Sequence, residues 1–256
     1  MADLKIIKIS DLGQSDINEN NDVIYLIDAS VNLNIKSGIN VKFLDTLSNG
    51  NVNLKIEKDA NVFYTILNSS NTNRVFDIYG KLELTEISLD ETNENINANL
   101  MIEDASFESK CLSFASNHDS DFHVYVNHNA KQTFSNVSNI GVALNKGKLL
   151  FDVVGKIEKG MSKSKCSQLS KGIVMDNESK VDAKPVLLID EYDCFANHGA
   201  SIGKVSDEDL FYLMSRGLTK NEAFILILDG IIRPFVDGIL IEEYKNSISE
   251  RVAKLI

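Results

Sequence analysis

The chain contains no tryptophan, and its three cysteines, Cys111, Cys166 and Cys194, are far apart with no Cys-x-x-Cys pair. An odd, widely spaced set excludes a disulfide framework and indicates no sequence-local zinc site. Basic clusters are equally scarce. The net charge is -11, and the one basic run is 156-KIEKGMSKSK-165, which suits a solvated turn. A phosphate-binding surface needs grouped Lys and Arg, so neither nucleic acid nor an anionic membrane is an expected partner. Long apolar runs are missing too: the longest, 223-AFILIL-228, falls far short of a bilayer span. The N-terminus, MADLKIIKIS, lacks the apolar segment of a signal peptide, so a cytoplasmic protein is expected. No nucleophile elbow, P-loop or dinucleotide fingerprint occurs, and 199-GASIG-203 lacks the lysine and spacing that phosphate binding needs.

What is present is 256 residues, 43% hydrophobic and 25% charged, enough for a sizeable core in a soluble protein. Up to about residue 200 the apolar residues alternate. Val52, Leu54 and Ile56 share one face of 51-NVNLKIEKDA-60; Phe122, Val124 and Val126 do so in 121-DFHVYVNHN-129; Val181, Ala183, Leu187 and Ile189 do so in 180-KVDAKPVLLID-190. A two-residue period marks half-buried strands. Turns such as 36-KSG-38, 57-EKDA-60 and 158-EKG-160 recur in strand–turn–strand units, and hairpin dipeptides are nearly absent. That texture leans towards stacked coils, although a sandwich or barrel shares the alternation.

After residue 205 the period becomes helical. Ser206 with Asp209 and Thr219 with Glu222 form capping-box patterns, and Gly217 is a natural stop. The second helix, roughly 220–232, is apolar on most of its circumference and is expected to end or kink at Pro234; a third covers about 239–254. A helix apolar all round is either buried on two sides or presents a docking patch, and burial is the favoured explanation.

The histidines do not suggest a local metal cluster. His128 shares the inward face of Phe122, Val124 and Val126 and should be a satisfied interior residue, while His123 points outward. Asp190, Glu191 and Asp193 suit a solvated turn better than an acid–base pair.

One string is specific. The stretch 197-NHGASIGKVSDEDLFYLMSRGLTKNEA-223 resembles the C-terminal motif of the SufB/SufD family, scaffold subunits of the SUF iron–sulfur cluster assembly machine. His198, Gly199, Ala200, Ser201, Leu210, Phe211, Tyr212, Leu213, Ser215, Arg216 and Gly217 match it. A looser likeness covers about residues 122–250, and residues 1–120 match in style alone; the helical domain that opens full-length members looks absent. The resemblance implies a right-handed parallel β-helix over 1–204 and a C-terminal helical domain over 205–256. It further implies a non-catalytic scaffold that forms a homodimer or pairs with a SufB-like subunit, and docks a SufC-type ABC ATPase whose ATP cycle opens the cluster-building interface. Leu210, Phe211, Tyr212, Arg216, Phe224, Ile227 and Leu228 are the docking candidates. His198, in a SufD-like Asn-His-Gly-Ala step, is the candidate metal or cluster ligand, with Cys194 as a thiolate neighbour and an iron–sulfur cluster as the transient group. Where SufB-type members are similar in carrying a cysteine six residues before Pro185, this chain has Ser179. The rival classes are a secreted-type parallel β-helix polysaccharide-active enzyme, disfavoured by the missing signal peptide and tryptophan, and a structural β-helix polymer, which would not need the helical domain.

Overall fold

The computed structural model describes residues 5–13, 15–19 and 23–255. In chain order its strands are β1 (Lys5–Lys8), β2 (Asp16–Ile17), β3 (Val23–Ile27), β4 (Val31–Ile35), β5 (Asn40–Asp45), β6 (Asn49–Ile56), β7 (Asn61–Leu67), β8 (Asn71–Ile78) and β9 (Lys81–Ser88). There follow β10 (Asn93–Leu100), β11 (Ser106–Ser116), β12 (Asp119–His128), β13 (Phe134–Leu144), β14 (Lys148–Ile157), β15 (Lys165–Val174), β16 (Lys180–Ile189) and β17 (Phe195–Gly203). Three helices close the chain: α1 (Asp207–Ser215), α2 (Lys220–Val236) and α3 (Glu242–Leu255).

Odd strands form one sheet and even strands the other, each in simple chain order. Every ladder is parallel and joins strands two apart, as where β10 lies between β8 and β12. An antiparallel sandwich would pair chain neighbours instead. The chain therefore winds as a parallel β-helix, contributing one strand to each sheet per coil.

The alternation builds the interior directly. In β6, Val52, Leu54 and Ile56 are buried while Asn51, Asn53 and Lys55 are exposed. The inward residues of the two sheets meet in one long core running from Ile9 to Val153. The polar residues facing outward stack in register. Asn53 donates to Asn32 at 2.6 Å, Asn99 to Asp77 at 2.9 Å and Asn127 to Asn99 at 2.9 Å. These side-chain ladders account for the asparagine-rich texture, since each rung gives an outward amide a partner one coil away. Corners are turned by residues with positive φ, among them Asp59, Asn68, Asp104, Asn117 and Asn145, types that tolerate the left-handed region. At Gly80, a Cβ would come within 2.2 Å of the Ala60 carbonyl oxygen, so only glycine lets the two coils approach there.

The coils widen along the chain. Lys5 faces Val23, 18 residues on; Asn53 reaches back 21 residues to Asn32; Asn139 reaches forward 31 to Ser170. Strands lengthen in step, from 4 residues in β1 to 11 in β13.

The helices fold back along this ramp. Leu228, Ile232, Val236, Ile248 and Val252 share one apolar cluster with outward-facing residues of the odd sheet, from Ile24 on β3 to Ile173 on β15. Arg251 adds an ion pair to Asp90 at 2.6 Å. Part of the apolar circumference of α2 is thus covered, with Ala223, Leu228, Ile232 and Val236 buried, while Ile225 and Leu226 stay exposed. Thr219 and Glu222 form the expected reciprocal capping box, whereas Ser206 accepts from the Asp209 N–H at 3.3 Å with a single bond. Helix α2 differs from expectation at its end: it runs through Pro234 to Val236. The proline lies in the last turn and forgoes the one bond its own N–H would have made to the Gly230 carbonyl, while the Asp237 N–H still closes onto the Arg233 carbonyl at 2.8 Å. Helix α3 correspondingly begins at Glu242.

The open end of the β-helix and the exposed helical face

Strand β16 pairs with β14 alone and β17 with β15 alone, so each sheet ends on an unpaired edge. In a parallel ladder, alternate residues direct their backbone groups to opposite sides. The Phe195 N–H bonds Ser164 on the paired side at 2.9 Å, so the main-chain groups of Ala196, His198, Ala200 and Ile202 face outward along the edge. On β16, Lys180 points its N–H to the Gly147 carbonyl at 3.0 Å, which puts Pro185 on the open parity. Its missing N–H therefore breaks no ladder bond. Large apolar side chains surround this end: Tyr192 is 100% exposed, Phe195 56% and Ile202 48%. An apolar patch at a free strand edge is what an intermolecular partner covers.

His198 is exposed at this end, on the inward-pointing parity of β17, in register with Gln168. Cys194 immediately precedes the strand and is half-buried, its Sγ 3.1 Å from the Glu191 carbonyl. Burial raises the Cys194 thiol, with the Glu191 and Asp193 carboxylates adding to the effect, so it stays protonated at neutral pH. Four residues of nearly extended chain separate Cys194 from His198, about 13 Å. Within one chain the two do not meet around one metal. Among the described residues no group of three or more His, Cys, Asp or Glu is placed to hold a metal ion. Ser179 is tied into its turn: its hydroxyl donates to Asp176 at 2.7 Å, and Asp176 also accepts from the N–H groups of Glu178, Ser179 and Asn145. Those hydrogen bonds, the Ser179 hydroxyl first, lower the Asp176 carboxyl.

The docking candidates on the helices divide by burial. Leu210 and Leu228 face inward, Phe224 and Ile227 are half-buried, and Phe211 (75%) and Tyr212 (57%) are exposed. The Arg216 guanidinium sits over the Tyr212 ring at 5.3 Å, a cation–π contact at the surface. Ile225 and Leu226 are exposed as well and line a groove of about 700 Å³ between α2 and α3, with Glu222, Asp229 and Lys245 among its polar rim. No described helix is long and apolar enough to cross a membrane.

Two interior features concern polar groups. His128 is satisfied as expected: Nδ1 lies 2.7 Å from Thr133 Oγ1 and Nε2 2.9 Å from Ser135 Oγ, and burial lowers its pKa to about 4. His123 faces outward beside Asp152 at 3.5 Å. The second feature escaped sequence inspection. Arg74 is completely buried, with its guanidinium on Asp45 (2.9 and 2.8 Å) and on Glu94. Glu86 and Cys111 sit in register beside this group. Burial pushes the Glu86 carboxyl well above its usual range, and the Glu94 charge and hydrogen bond add to it. Burial likewise pushes the Cys111 thiol up, helped by Glu86. The available signal was parity: Asp45 continues the inward row Val41, Phe43, and Arg74 stands between inward Thr72 and Phe76.

The described residues thus form a parallel β-helix that stops on two free edges, with helices strapped along its flank and an exposed apolar helical face. The sequence model of the "SUF system FeS cluster assembly, SufBD core domain" matches residues 18–231, and the chain belongs to this SufBD family of iron–sulfur cluster assembly proteins. It is 37% identical over 137 residues to the iron–sulfur cluster assembly protein SufD of Bacillus subtilis, covering 52% of this chain and 31% of that protein. It is 30% identical over 207 residues to a SufBD family protein of Staphylococcus epidermidis, covering 75% of this chain and 43% of that one. A SufBD family protein of Mycobacterium tuberculosis is 34% identical over 115 residues, 45% of this chain and 14% of that one. The chain thus spans less than half the length of these curated relatives.

Proposed function

We propose that the protein is a SufD-type scaffold subunit. Its open end pairs with a second SufBD subunit, either another copy or a SufB-like chain, and its exposed helical face docks a SufC-type ABC ATPase. The ATPase cycle levers the paired β-helices and opens the interface where an iron–sulfur cluster, the cargo, is assembled. One observation carries this reading: both sheets end on unpaired strands, and one of those strands presents His198. A neutral imidazole there can ligate iron or accept a proton. Cys194 would act as a thiolate ligand in a paired assembly, its proton released to solvent as the metal binds. Ser179 supports the SufD-type assignment over a SufB-type one. The protein acts as a non-catalytic partner of the ATPase in the cytoplasm.

The cluster shared by α2, α3 and the odd sheet governs the choice of test. Removing residues 206–256 would strip the apolar flank of the β-helix and unfold it. Substitution of Phe211 and Tyr212 by alanine removes exposed surface alone. The intact protein should retain the cognate ABC ATPase in a pull-down, and the double variant should lose it while keeping its circular dichroism spectrum. Retention unchanged in the variant, or absent in the intact protein, defeats the docking assignment. Light scattering reads the pairing, which Phe195→Glu should weaken.

A further inference from the structure

We propose that Gln168 is the positioning residue for His198: its side-chain oxygen receives a ring N–H of the imidazole and holds the ring in one tautomer at the open end. The proposal rests on the reading of His198 as the interface imidazole. Gln168 is 3% exposed, and its Oε1 is buried with no hydrogen-bond partner. The orientation of the amide is fixed by its other end. Nε2 donates to the Val186 carbonyl at 3.3 Å, and a carbonyl can only accept, so the oxygen must be the atom left over. Space for this pose comes from the facing strand. A Cβ on Gly155 would lie 2.9 Å from Nε2 and 2.4 Å from Cys166 Sγ, so any larger residue would displace the amide.

A buried acceptor left unpaired is costly, and the side-chain donor on the neighbouring rung is His198, whose exposed ring has to turn inward to meet the oxygen. Gln168 and His198 are register partners on the same parity, about 4.8 Å apart across the ladder. In-register side-chain bonds are already the habit of this sheet: two columns over, Asn139 on β13 donates to Ser170 on β15 at 3.3 Å. The other inward residues of β17, Ala196, Ala200 and Ile202, carry no side-chain donor. An imidazole that must present one nitrogen to a metal or proton needs the other nitrogen held by an acceptor, which a carboxamide oxygen supplies without adding charge.

The test is long-range ¹⁵N–¹H correlation spectroscopy of the His198 ring in the full chain at neutral pH. The wild type should show one neutral tautomer, with a ring N–H proton slow enough in exchange to be seen. Gln168→Met keeps the volume and removes the acceptor; it should give a mixture of both tautomers and lose the visible N–H. A wild-type ring that already averages both tautomers, or a folded Gln168→Met variant that keeps the wild-type pattern, overturns the proposal. Should the variant fail to fold, the wild-type spectrum alone decides, because a free imidazole N–H exchanges too fast to appear. ATPase retention is a separate measurement, so failure of either reading is recognisable without the other.

Discussion

Glu86 offers the sharpest test of the buried polar cluster. In the native protein its carboxyl is enclosed beside Glu94 and Cys111, and burial followed by the Glu94 charge keeps it protonated well above the usual range. In the unfolded chain it ionises near its ordinary value. The folded pKa is the higher one, so its contribution to stability is complete below the unfolded pKa and is lost as pH rises towards the folded pKa. Across that window one proton separates the two states, and stability falls by about 1.4 kcal/mol per pH unit through this group. Glu86→Gln keeps the shape and removes the proton. Urea unfolding at a series of pH values above the ordinary carboxylate range should therefore show the variant gaining on the wild type as pH rises, by at most about 1.4 kcal/mol per unit. Parallel pH curves for the two proteins would falsify the assignment of a neutral Glu86.

Further outcomes follow from the same interior. Arg74→Met leaves Asp45 and Glu94 buried without their cation and should cost about 3–5 kcal/mol in urea unfolding, a penalty that shrinks on acidification as the freed carboxyls protonate. Leu228→Ala opens a cavity between the strap helices and the odd sheet and should cost about 2–5 kcal/mol, whereas Phe211→Ala should stay within about 0.5 kcal/mol because its ring is exposed. Burial lowers His128 from its ordinary 6.5 to about 4. A depressed imidazole stabilises above its unfolded pKa and loses that contribution as pH falls from 6.5 to about 4. His128→Asn should flatten this acid limb of the stability profile.

The strands and their inward faces were legible because a two-residue period is a local property: Val52, Leu54 and Ile56, and Val181 through Ile189, fall on the faces expected of them. The interior role of His128 followed from the same parity. Whether the strands coil or fold as hairpins was not local, since alternation is indifferent to which strand becomes the neighbour; the SufB/SufD-like string over 197–223 supplied that. Burial of one face of α2 was visible in its apolar circumference, but its position was not, nor that Ile225 and Leu226 would stay exposed. Nothing in 220–236 says that Leu228 will share a cluster with Ile24, some 200 residues earlier. The ion cluster was hidden for the opposite reason. Arg74 and Asp45 look like ordinary surface charges until the parity of their strands is taken more seriously than their hydrophilicity. His198 stood out as an isolated imidazole at a change of texture, while its proposed support, Gln168, emerges only when β15 and β17 are laid side by side.

A solenoid held together by contacts between adjacent coils alone can unravel from either end, one coil at a time. Here α2 and α3 belong to one apolar cluster with outward residues from β3 to β15 and fasten Asp90 through Arg251, so distant coils share a single fastening. Losing the last coils would loosen the first, and fraying of the terminal rungs becomes coupled to opening of the whole. The same arrangement dictates the order of events during synthesis. Helices α2 and α3 are made after every coil, and the growing coil carries a bare apolar flank until they arrive. A coil built this way is covered only once α3 has been made, and a product cut short before that helix should be recognised by its uncovered flank and removed.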